Sequence, residues 1–209
     1  MQITNKDFKR RIIEISYPRI LSLLGSCLTA VDIIDEIFKV KKPDEKFVLS
    51  SGHAGLALYV VLEKYEGLDA EKIFDHHGVH PDRCNQCHID CSTGSLGQGL
   101  PIAVGMALAN RKKNVYCLIS DGECAEGSIW EAMRIRMEQK LWNLKVFVNN
   151  NGWGAYKKLK DNDYVYNPFA FYVDFKKTDS EQLPFLKGQD AHYHAMNEEE
   201  YNQAMEILK

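Results

Sequence analysis

A chain of 209 residues with a formal charge of −3 has the length of one domain with a sizeable core. Its composition, 45% hydrophobic and 26% charged, is that of a soluble globular protein, and no basic excess points to nucleic acid. No apolar run approaches membrane-spanning length, and the polar start from Met1 to Arg11 lacks a secretory apolar stretch. The six cysteines are scattered or sit near histidines, which reads as reduced thiols in a cytoplasmic protein.

In chain order, Phe8 to Lys39 reads as largely helical, with breaks at Pro18 and Gly25. Lys41-Lys42-Pro43-Asp44 is a turn, and Phe47-Val48-Leu49 a short buried strand. Ser50-Ser51-Gly52-His53 follows it, and Ala54 to Tyr65 continues as helix. Gly67 to Asp82 reads as loop with a short helix around Asp69 to Phe74, and Cys84 to Thr93 as irregular. Gly97 to Asn110 is an apolar helix rich in small residues, built for close packing against another element or another subunit. Val115 to Ile119 and Leu144 to Val148 are apolar strands, with Ser128 to Asn143 as a helix between them. A further strand is expected at Phe171 to Lys176. In the last helix, Asn197 to Leu208, Asn197 caps, Glu198 to Glu200 fill the first turn, and Ala204, Met205 and Leu208 face inward.

The order strand, helix, strand over residues 115–151 is a parallel crossover unit. It predicts an α/β fold: a parallel sheet in three layers, with helices on both faces, forming a single domain over residues 1–209 with a shortened region at 155–187. Ser120-Asp121-Gly122-Glu123 and Asn149-Asn150-Asn151-Gly152 then emerge at the carboxyl ends of parallel strands, the edge where open α/β sheets bind ligands. A carboxylate, an amide oxygen and backbone carbonyls are hard ligands that suit Mg²⁺ holding a diphosphate. Asp-Gly and Asn-Gly are also ordinary turn pairs, so this unit by itself leaves a purely structural reading open.

The unit resembles the thiamine-diphosphate signature, with Ser120 standing where that pattern usually has Gly. The resemblance makes Asp121, Asn151 and the carbonyl of Trp153 the ligands of Mg²⁺ (or Ca²⁺), with Gly122 beside the diphosphate. Ser92-Thr93-Gly94-Ser95-Leu96-Gly97-Gln98-Gly99 is similar to the Thr-Gly-Pro-Leu-Gly-Gln-Gly loop of transketolases, where backbone at the positions of Gly94 and Leu96 meets the aminopyrimidine ring. Leu49-Ser50-Ser51-Gly52-His53-Ala54 resembles the segment whose His reaches the diphosphate, here His53. His80, fourteen residues before Gly94, matches a His that touches the donor sugar. Glu126, in the Glu-Gly pair of the loop leading into the helix, matches a Glu that contacts the cofactor region and couples to a partner's Glu, whereas Glu123 reads as a helix N-terminal acid. Gly188-Gln189-Asp190-Ala191-His192 puts His192 near the diphosphate, with Ala191 in place of a Trp. Leu23 stands where transketolases carry a donor-side His, and a leucine cannot hydrogen-bond.

The stretch His76-His77-x-x-His80-x-x-x-Cys84-x-x-Cys87-His88-x-x-Cys91 has the residue types and the C-x₂-C spacing of a zinc site. All of these ligands crowd one loop, and the resembled family needs no metal there, so they read as reduced thiols beside the active site.

The resemblance to transketolases implies a thiamine-diphosphate-dependent ketol transfer, moving a two-carbon unit from a ketose to an aldose. His53, His80 and Glu126 would serve the chemistry. It also implies a missing part: the Glu that hydrogen-bonds the pyrimidine ring belongs to a second domain, for which 209 residues leave no room. The chain is therefore expected to be inactive alone and to join a carboxy-terminal transketolase subunit in a heterotetramer acting on a sugar or sugar phosphate, with the 97–110 helix as the contact between chains. Two alternatives stay open: a subunit of another thiamine enzyme, deoxyxylulose-phosphate-synthase-like or keto-acid decarboxylating, and a non-catalytic homologue.

Overall fold

The computed structural model describes residues 4–154, 157–159 and 172–209. Helix α1 (Lys6–Ser16) ends where Pro18 starts a short 3-10 turn, as expected of a residue that cannot continue an α-helix. The second predicted break moves. Gly25 lies in the first turn of α2 (Leu24–Val40), and the chain instead bends at Ile20 and Leu23, which take φ values of 53° and 68°. Buried Lys9 reaches Asp32 at 2.7 Å and pins α1 against α2.

Strand β1 (Lys46–Leu49) leads through a 3-10 turn into α3 (Gly55–Glu66). Asp69 caps α4 (Ala70–His77), accepting from the N–H groups of Glu71 and Lys72, and the helix runs one turn beyond the predicted Phe74. Helix α5 (Gly99–Ala109) begins two residues later than predicted, because Gly97 takes a φ of 79°. Strand β2 (Val115–Ser120), α6 (Gly127–Glu138) and β3 (Leu144–Asn150) form the expected crossover. Helix α6 stops short of the predicted Asn143, since Lys140 turns to a φ of 51° and Leu141 drops back into the core. Strand β4 (Asp174–Lys177) begins later than the predicted Phe171 to Lys176, with Tyr172 and Val173 in a turn before it; Phe171, and part of the region read as shortened, lie outside the described residues. Helix α7 (Glu198–Ile207) carries the capping box of Asn197 and Glu200.

The four strands pair in the order β1-β2-β3-β4, all parallel, with Ser120 opposite Asn149. The period of two along each strand divides the core. Phe47, Leu49, Tyr116 and Leu118 face a layer that includes α1, α2, α3 and α7. Val48, Cys117, Ile119, Val146 and Val148 face a layer of α5 and α6. Helices thus cover both faces, as predicted. All six cysteines are free, and no helix of the described residues is long and apolar enough to cross a membrane.

Three loops meet at the carboxyl edge of the sheet. Thr93 Oγ1 donates to the Leu49 carbonyl at 2.6 Å, and Gly99 N–H donates to Ser50 Oγ at 3.1 Å. A Cβ on Gly99 would lie 2.6 Å from the Cα and Cβ of Ser50. Gly99→Ala should therefore push α5 away from β1 and cost about 1–3 kcal/mol; urea unfolding of the variant beside the parent chain measures it.

Candidate functional site

A cavity of about 330 Å³ opens at that edge, within the range of small-molecule sites. Its lining includes His53, His80, Gly94, Leu96, Asp121, Gly122, Asn151, Trp153 and His192, residues that lie far apart in the chain. Glu126 is the predicted site residue that does not line it. The loop of Glu126 packs behind Gly97, where an added Cβ would sit 2.8 Å from Glu126 Cβ and 2.4 Å from Ser128 Oγ. Glu126 serves there as the N-cap of α6, outside the cavity wall.

Asp121 directly follows β2 and is buried. Its Oδ1 accepts from Gly122 N–H at 2.9 Å and its Oδ2 from Gly152 N–H at 2.7 Å, so the tips of β2 and β3 are tied together through this carboxylate. Asn151 Oδ1 accepts from Trp153 N–H at 2.9 Å. Burial nevertheless pushes the Asp121 carboxyl up to about 7, against the pull of these N–H groups. A buried carboxylate beside an amide oxygen, with no lysine or arginine lining the cavity among the described residues, fits a hard divalent cation.

Other residues of the lining could take an anion. His53 and His192 meet edge to face with ring centroids 5.1 Å apart. His192 Nδ1 pairs with Ser26 Oγ at 3.0 Å, and the His192 carbonyl accepts from Leu23 N–H at 2.9 Å. Ser26 and Gly25 line the cavity from the first turn of α2, whose N-terminus has no side-chain cap among the described residues. Ser180 Oγ, buried at the wall, has no partner among the described residues. Sequence reasoning missed Ser26, Gly25 and Ser180; only the contact of α2 with the turn at Gly188–His192 brings them in. His80 packs on Gly94, whose added Cβ would touch the His80 ring at 3.3 Å.

Glu123, read from sequence as a helix-end acid, is instead fully buried. It accepts from Ser50 Oγ at 2.5 Å, Gly97 N–H at 3.0 Å and Ser120 N–H at 2.9 Å. That one carboxylate joins the loops after β1, before α5 and after β2.

The histidines titrate with a sign that the burial fixes. Burial first, and then His192 and His80, lower His53 from 6.5 to about 4, and burial also lowers His192. His53 is thus neutral in the folded chain at pH 7. As pH falls, the unfolded chain takes the proton first, so this residue erodes stability between about 6.5 and about 4. In proton NMR of the chain without ligand, the His53 ring should titrate near 4 and move upward when inorganic pyrophosphate is added, because an anion favours imidazolium. A midpoint that stays at 6.5 would mean a solvated ring.

Comparison with known proteins places the chain in a family. The family described as transketolase, thiamine diphosphate binding domain, matches residues 39–161. Transketolase of Homo sapiens is 39% identical over 150 residues, covering 62% of this chain and 24% of that protein. One of the subunits of apulose-4-phosphate transketolase from Phocaeicola vulgatus is 32% identical over 172 residues, covering 72% of this chain and 60% of that protein. A crystal structure of a transketolase mutant from Pichia stipitis aligns with a TM-score of 0.56 at 22% identity, over 81% of this chain and 30% of that one, a likeness of fold. The chain spans about a quarter of the length of the curated transketolases it matches. It belongs to the transketolase family, in the thiamine diphosphate binding domain. The family match includes His53 through Trp153 and leaves Leu23 and His192 outside it.

Proposed function

We propose that this transketolase-family chain is a single domain, residues 1–209, that holds thiamine diphosphate and Mg²⁺ in the cytoplasm as one subunit of a two-chain transketolase. With its partner it transfers a two-carbon ketol unit from a ketose to an aldose. The observation that carries the reading is the cavity itself, in which a buried carboxylate and an amide from two adjacent strand tips face two neutral histidines and a helix N-terminus.

In this reading Asp121, Asn151 and the Trp153 carbonyl hold the cation, and Gly122 leaves room beside it for the diphosphate. His53, His192 and the first turn of α2 take the phosphate oxygens. Close approach of Gly52 to the Thr93 carbonyl, 2.5 Å from an added Cβ, keeps the Gly94 and Leu96 backbone against the pyrimidine face. His80, braced on Gly94, hydrogen-bonds the donor sugar and orients its carbonyl. Bound thiamine diphosphate supplies the carbanion chemistry, and this chain orients it, excludes water and neutralises its phosphates. Leu23 adds an apolar contact at the cavity wall.

The partner reading rests on three supports. Asp121, the carboxylate that lines the cavity among the described residues, is assigned here to the cation, so a carboxylate for the pyrimidine ring comes from elsewhere. The Phocaeicola vulgatus relative is itself named as a transketolase subunit, and a multi-chain enzyme is carried over from it. Helix α5 presents an exposed apolar face, Pro101, Gly105 and Leu108, where a Cβ on Gly105 would meet open space. That face suits a second polypeptide in an assembly of two copies of each chain, with Glu126 near the contact.

Asp121→Asn should weaken binding of thiamine diphosphate with Mg²⁺ by about 100-fold or more, since even an outer partner of a metal ligand is worth 10–100-fold. Calorimetry with the partner chain present tests this, and unchanged affinity overturns the cation assignment. Purified alone, the chain should show no ketol transfer from ketose donors, and activity should appear on mixing with a carboxy-terminal transketolase subunit. Turnover of pyruvate but not of ketoses by the mixture would favour a keto-acid enzyme instead.

A further inference from the structure

A cluster of metal-binding side chains lies outside that cavity, and the thiamine reading does not use it. Cys84 to Cys87 forms a tight turn: Cys84 and Ile89 exchange both backbone hydrogen bonds at 2.9 Å, and Cys87 N–H donates to Cys84 Sγ at 3.1 Å. His88 then takes a φ of 56°, a left-handed conformation to which His is more tolerant than most residues. This backbone brings both sulfurs to one side of the turn. His77, the last residue of α4, brings Nε2 to 3.3 Å from Cys87 Sγ. The ligand atoms of His77, Cys84 and Cys87 all lie within 4.8 Å of one another.

From sequence alone, the crowding of every ligand into one loop speaks against a metal. The fold removes that objection. Helix α4 runs on to His77, so one ligand stands on a rigid helix end and two on a separate turn.

We propose that His77, Cys84 and Cys87 bind a zinc ion, with solvent as the fourth ligand. Two thiolates and an imidazole suit zinc, which binds sulfur at about 2.3 Å and nitrogen at about 2.0–2.1 Å in a tetrahedron. The ligand atoms need to close by only about 1 Å to reach the edges of such a tetrahedron. An iron–sulfur cluster calls for four cysteines, and Mg²⁺ calls for oxygen. Cys91 is not part of the set: its Sγ donates to the Ser92 carbonyl at 3.3 Å, and it belongs to the core layer of α5 and α6. His88 is turned toward Glu66, 3.3 Å away.

The clip would tie residue 77 to residues 84 and 87 and so fix the segment between them. That segment carries His80 to the cavity, and its Pro81 carbonyl accepts from Thr93 N–H at 3.1 Å, one residue before Gly94. Bound there, the ion braces the loop that lines the site.

The test is metal content. The whole chain, produced with added zinc and purified under reducing conditions without chelator, should carry about one zinc per chain by elemental analysis. Exchange into cobalt should give thiolate-to-cobalt charge-transfer bands. Cys87→Ser and His77→Ala should each lower zinc content about tenfold or more, and Cys91→Ser should keep it. Wild-type chain with no stoichiometric zinc and no charge-transfer bands overturns the proposal, whatever the variants do. So does zinc that survives Cys87→Ser or is lost from Cys91→Ser.

Discussion

A single buried carboxylate sets the shape of the carboxyl edge. Glu123 receives the Ser50 hydroxyl and the N–H groups of Gly97 and Ser120, three segments that the sheet alone would leave independent. Burial disfavours its charge and raises its pKa, and these donors offset part of that cost. An amide in its place would have to turn an NH₂ group toward donors and leave a buried N–H or hydroxyl unpaired. Asp121 sits two residues earlier and Gly94 three residues before Gly97, so the position of both cavity walls follows from this contact.

The cavity is electrostatically incomplete in a specific way. One wall holds a carboxylate whose charge is discouraged by burial. The facing wall holds histidines whose charge is discouraged by burial and, at His53, by the neighbouring rings. A cation at the first wall and an anion at the second relieve both penalties at once, whereas either alone leaves the other uncompensated. A metal-bound diphosphate has this pairing of charges, which is the physical reason the proposed ligand fits better than a free sugar or a free metal.

What could be read from the sequence was whatever depends on local period and chain length. A helix between two apolar strands fixes the parallel crossover, and the crossover places Asp121 and Asn151 at one edge. The Asn197 cap is likewise local chemistry. What could not be read depends on contacts across the chain. Glu123 has the sequence context of a helix-end acid, and only its distance to Ser50 reveals a tie between loops. Gly25 looks like a helix breaker, yet it opens α2 because a Cβ there would crowd Ser180 and Ala191 at 3.1–3.4 Å. The bend falls on Leu23, a residue with no local reason for a left-handed φ, held there by its bond to His192. His77 joins the two cysteines because α4 extends one turn further than its composition suggests.

The acids around the cavity also explain why a second polypeptide belongs to the proposed enzyme. Proton removal from a ring carbon needs a base with a free lone pair aimed at the bound cofactor. In the proposed reading Asp121 is taken up by the cation and by the N–H groups of Gly122 and Gly152, Glu123 is occupied by its donors, and Glu126 lies behind the Gly97 loop. The remaining titratable groups lining the cavity are histidines and Tyr193. His53 and His192 are engaged with each other and with Ser26, where the proposed phosphates lie, and His80 packs on Gly94. In the proposed reading the described residues bind and orient but leave the pyrimidine side without an acid. The apolar, small-residue face of α5 offers the surface over which a partner bearing that acid can close.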